Sequence, residues 1–142
     1  MMLRRLPDWS ERLEDHIAAV CEQPFRWGRS DCLTWCGGAV EAMTGLRLWS
    51  EYAGRYRSRA GMVRMLAAAG HADILEAASN IMERAGIPVC APEDTEPGDP
   101  AVIDSGEGGQ SLAVRLLDGY AVRHRGGLAV VDLIPIRTWR LE

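Results

Sequence analysis

The hydrophobic pattern changes period partway along the chain. Up to about residue 86, apolar side chains recur at three- and four-residue spacing. After the acidic, proline-rich stretch APEDTEPGDP (residues 91–100) they come in short runs: AVID, LAVRLL, YAVRH, LAVVDL and TWRL. The first period puts one stripe of a helix against a core, and the second puts one face of a strand there. Helices grouped before strands, rather than alternating with them, predict an α+β fold in which N-terminal helices pack on a C-terminal antiparallel β-meander. At 142 residues the chain suits a single domain, residues 1–142, with one sizeable core.

Local signals mark the elements. Ser10 is a plausible N-cap for a first helix, with Glu11 and Glu14 in its first turn, Leu13, Ile17, Val20 and Cys21 at helical spacing, and Pro24 as its stop. A second helix starts at Ser30 or Asp31, buries Cys36, Ala39, Val40 and Met43, and ends at Gly45. Residues 46–56 read as a loop. A third helix runs from about Arg59 to Ala69, capped by Ser58 and stopped by Gly70. A fourth runs from about Asp73 to Ala85, with Leu75, Ala78 and Met82 inward and Gly86 at its end. Asp118-Gly119 is a hairpin signal, and Arg125-Gly126-Gly127 marks a second turn.

Composition excludes several function classes. The net charge is −4 and the arginines are interleaved with acids, so no basic face for nucleic acid is expected. No run approaches the roughly 20 apolar residues of a membrane span. The opening MMLRRLPDWSERLEDH has no apolar stretch after its arginines, so the expectation is a chain made in a cytoplasm without a secretory signal. There the four cysteines are thiols rather than disulfides. Their spacings do not match paired C-x2-C zinc units, so neither metal nor cofactor is expected, although a module binding metal through the cysteines is a third reading.

The segment WGRSDCLTWCGG (residues 27–38) sets Cys32 in the first turn of the second helix. Free N–H groups and the positive end of the helix dipole favour a thiolate there, one way of activating a cysteine nucleophile. The same position also suits a small buried side chain, the usual fate of a free cysteine. Capping electrostatics account for Asp31, and turn chemistry accounts for Asp99. Core or groove-wall packing accounts for Trp27, Trp35 and Trp49. His16 reads as a surface residue, His71 as a loop or cap residue, and His124 as an exposed strand end between Arg123 and Arg125.

Trp27-Gly28, Asp31-Cys32 opening a helix, and Gly98-Asp99 before a strand together resemble the NlpC-type cell-wall peptidases, which have a reduced papain-like fold. The chain is most similar to a phage-associated branch of that superfamily, with the phrase W-G-x-x-D-C, a G-R-Y-R-S-like segment (Gly54-Arg55-Tyr56-Arg57-Ser58) and a Trp-Arg ending (Trp139-Arg140). The resemblance implies attack by a cysteine on an amide of a peptidoglycan stem peptide, a histidine base on the second strand, a polar orienter on the next, and backbone N–H groups for the oxyanion. Cys32 matches the nucleophile. The base position falls on Ser111, or on Gln110 if the register slips, and neither can take a thiol proton. The orienter position falls near His124. Trp27, Asp31 and Trp35 are the candidate substrate-binding residues.

Losing one member of such a unit removes most of its rate. The expectation is therefore a degenerate domain in a phage or phage-like tail tip or baseplate, made in the host cytoplasm and carried in the virion tail. It would act as an adaptor or cell-wall-peptide binder, with other tail proteins and peptidoglycan peptide as partners. The alternative is an active cysteine peptidase or amidase that cleaves stem peptides through Cys32 with His124.

Overall fold

The computed structural model describes residues 3–104 and 109–142. In these residues, four helices precede a six-stranded antiparallel sheet, so the class is α+β as expected. The helices are α1 (Trp9–Glu22), α2 (Cys32–Thr44), α3 (Arg59–Ala68) and α4 (Ile74–Arg84). The strands are β1 (Val89–Cys90), β2 (Pro100–Asp104), β3 (Gln110–Leu116), β4 (Gly119–His124), β5 (Gly127–Val131) and β6 (Arg137–Trp139).

Three of the four caps follow the sequence. Asp31, Ser58 and Asp73 accept a hydrogen bond from the backbone N–H three residues on and start α2, α3 and α4. The first helix differs. Its N-cap is Asp8, whose side chain binds Arg12 at 2.8 Å and caps no backbone group, and Ser10 lies inside the first turn. Cys21, expected inward, is exposed. In α4 the buried stripe is Ile74, Ala77, Ala78, Ile81 and Met82, which rotates Leu75 to the margin of the core. The second helix buries Cys36, Ala39, Val40 and Met43 completely, as its spacing requires.

The sheet order is β1-β6-β2-β3-β4-β5. Strands β2 to β5 form the expected meander. The last strand departs from it: β6 crosses back to lie between β1 and β2. Two facts held this back from the sequence. With only two residues, β1 carries no period to read. The position of β6 is set by contacts distant in sequence, among them the Thr138 hydroxyl, which donates to the Cys90 carbonyl at 2.7 Å.

Leu112, Val114 and Ala121 face the helices in the main core. Their neighbours Ala113, Tyr120 and Val122 join Ala101 and Ile103 in a smaller cluster on the other face. Asp99, read as a turn residue, is fully buried at the join. It accepts hydrogen bonds from Arg5, Glu96 N and Leu141 N, each at 2.9 Å, and so ties both chain ends to the start of β2.

His16 is not a surface residue. Its ring stacks on Trp35 at 5.3 Å, and its Nε2–H donates to the Trp35 carbonyl at 3.1 Å. The ring fits because Gly38 beneath it has no side chain: a Cβ there would come within 2.5 Å of the imidazole. Burial holds this histidine below its ordinary 6.5. The depressed value means that the unfolded chain binds the proton more readily. His16 therefore contributes stability that is fully present above about pH 6.5 and is lost as pH falls through the folded value. Urea unfolding followed from pH 7.5 down to 5 is expected to show this decline, with a shallower decline in His16→Gln.

Candidate functional site

The site is built around the carboxylate of Asp31, which is 1% exposed. Its Oδ1 accepts the Thr34 N–H, while the Thr34 hydroxyl accepts the Asp31 N–H at 2.8 Å, closing a reciprocal cap on α2. Its Oδ2 accepts the Gly28 N–H at 2.8 Å and the Tyr56 hydroxyl at 2.5 Å. Burial, and then the Asp31 charge, push the Tyr56 phenol well above its ordinary value, so it remains the donor.

This bond joins the two stretches that carried the family resemblance, WGRSDC and GRYRS. They also pair through the Gly54 N–H, which donates to the Gly28 carbonyl at 2.7 Å. Gly28 has φ +82°, and a Cβ on it would lie 2.3 Å from the Tyr56 carbonyl oxygen, so only glycine fits. Asp31, not Ser30, is therefore the N-cap. The Ser30 hydroxyl instead accepts from Arg123.

Cys32 follows as the first helical residue and is 8% exposed. Its thiol is pushed up above its ordinary value, chiefly by burial. The Leu112 backbone opposes that rise, the Asp31 charge adds to it, and the Ser111 hydroxyl opposes it. The helix dipole that favours a thiolate is thus met by a carboxylate one residue away. Cys36, one turn on, is fully buried, and its thiol donates to the Ala113 carbonyl at 3.6 Å.

Cys32, Gln110, Ser111 and His124 all line one cavity of about 370 Å³, together with Trp27. The topology has brought together all four candidate catalytic residues. The β3–β4 pairing ends at Ala113–Val122, two residues short of Ser111 and of His124. Yet the side chains are not wired for proton transfer. The Gln110 amide is committed to α4: its oxygen accepts the Leu75 N–H at 2.8 Å and its nitrogen donates to Asp73 at 3.2 Å. His124 is exposed, and its Nδ1 accepts the Gly126 N–H at 3.1 Å. Alternation along β4 puts Arg123, two residues after Ala121, on the helix-facing side of the strand.

Two expected substrate contacts do not line the cavity. Asp31 is spent on the cap. Trp35 is 1% exposed, stacked on His16, and its indole N–H donates to the Ala121 carbonyl at 2.9 Å, so its size and donor serve the core.

The cavity also contains residues that spacing did not single out: Phe25, Arg59 and, above all, Arg123. Arg123 is 5% exposed, although it stands next to His124 near a strand end. Its place two residues after Ala121, on the helix-facing side of β4, was the available signal. All four cysteines are free thiols, and no group of three or more potential metal ligands occurs among the described residues. No helix among them is long and apolar enough to cross a membrane.

What the fold and site define is an α+β domain with a buried thiol at the head of a helix, opening on a largely apolar cavity. The chain belongs to a family described as a domain of unknown function, DUF6950, whose model matches residues 4–141. No curated protein and no solved structure matches it.

Two outcomes test this geometry. Asp31→Ala removes a cap, worth about 1 kcal/mol. It also strands two buried donors, at about 1–3 kcal/mol each, so urea unfolding is expected to register a loss of about 3 kcal/mol or more. Tyr56→Phe is expected to cost less, and the double mutant less than the sum. Alkylation of Cys32 is expected to be slow beside exposed Cys21. Its rate should rise only above the ordinary thiol value of about 8.5, with no change in His124→Ala.

Proposed function

We propose that the chain is a catalytically retired cysteine-hydrolase domain of NlpC type that binds rather than cuts. It serves as an adaptor or cell-wall-peptide binder at the tail tip or baseplate of a phage or phage-like particle. The observation that carries the retirement is the environment of Cys32: a buried thiol held protonated, with Ser111 rather than a base beside it. A cysteine hydrolase needs the thiolate and a group to accept its proton. The placement in a tail rests on the resemblance of WGRSDC, GRYRS and the Trp-Arg ending.

A second reading, an active peptidase or amidase using Cys32 and His124, is favoured by one observation: both side chains line the same cavity. Purified protein incubated with peptidoglycan sacculi separates the two. The expected result is co-sedimentation with sacculi or co-purification with the tail proteins encoded beside it, and no soluble muropeptides. Muropeptide release that stops in Cys32→Ser would establish the second reading instead, and failure to associate with either partner would sink the first.

A further inference from the structure

We infer that the cavity receives the free carboxylate of a small, partly apolar ligand, with Arg123 as the residue that grips it. This deepens the binding reading above and rests on it, by naming the ligand class.

The buried guanidinium carries the argument. Arg123 Nη2 donates to the Gln23 carbonyl at 2.6 Å and to the Ser30 hydroxyl at 3.2 Å, both neutral acceptors. Its Nε is buried without a hydrogen-bond partner. Among the described residues, no carboxylate lies within 4.0 Å to form an ion pair with it. The contrast within the chain is Arg5, which is similarly buried but is paired with Asp99 at 2.9 Å. A buried charge is tolerated where it is paired, and Arg123 instead stands on the wall of the cavity with neutral partners.

The rest of the wall adds positive charge. Arg59 and Arg125 lie on it, while the one carboxylate on it among the described residues, Asp73, accepts the Glu76 N–H at 2.8 Å and the Gln110 amide at 3.2 Å. Arginine's planar fork matches a carboxylate through two parallel hydrogen bonds.

Two features select a carboxylate over a phosphate. The N–H groups at the starts of α2 and α4, the usual seats for phosphate, are already taken by Asp31, Asp73 and Gln110. The remaining wall, with Phe25, Met62, Leu66 and Ile74, is apolar and suits a ligand with one charged end. The volume of about 370 Å³ is in the range of small-ligand sites.

Titration calorimetry of the full chain with N-acetyl-Ala-Ala, with its C-terminal amide and with inorganic phosphate tests this. The acid is expected to bind at least about tenfold more tightly than the amide, since a charged hydrogen bond is lost with the charge. Arg123→Gln, checked to be folded by its melting transition, is expected to abolish that preference. Equal binding of acid and amide, no binding of either, phosphate bound in place of the acid, or an acid preference that survives in folded Arg123→Gln would each overturn the inference. Sacculus binding that persists without an acid preference would overturn it alone and leave the binding reading standing. Muropeptide release dependent on Cys32 would overturn that reading even where the acid preference holds.

Discussion

One buried carboxylate organises the start of α2 and the two loops around it. Asp31 caps α2, orders the tight loop before it through Gly28, and pins the segment after α2 through Tyr56. Without it, two loops and a helix start would have no common partner. The same charge has a chemical consequence. Burial is the main force against ionisation of the thiol, and the Asp31 charge, one residue before it, adds to that opposition. The group that places the sulfur also helps to keep it protonated.

Two further polar side chains do comparable work at the seams between layers. Asp99 gathers Arg5, Glu96 and Leu141, so that both ends of the chain close over the start of β2. Gln110 spans from the start of β3 to the first turn of α4 and satisfies a helix N–H that would otherwise lack a partner. In each case a residue that chemistry could have used is held by architecture. Gln110 cannot wait as a reactive group while it serves as part of a helix terminus.

The cavity that results is unusual in its balance. It has a thiol that holds its proton, a hydroxyl that cannot take it, and a histidine whose Nδ1 is engaged by its own turn. Beside them is a buried guanidinium with neutral partners only. The proposal of a binding role rather than a hydrolytic one rests on that asymmetry.

Local signals carried much of the fold. The caps Asp31, Ser58 and Asp73, the stripe of α2 and the hairpins of β2 to β5 depend on neighbours within a few residues, so they were legible in the chain itself. So was the place of Cys32 at a helix start. The Tyr56–Asp31 bond, the return of β6 beside β2, the burial of His16 and the unpaired burial of Arg123 were not. Each joins residues far apart in sequence, or turns on which face of a strand meets a helix. A pattern of residue types records periodicity and turn chemistry, because these act over one or two turns of backbone. Which polar groups lose their water, and what they meet instead, is decided only when the helices close on the sheet.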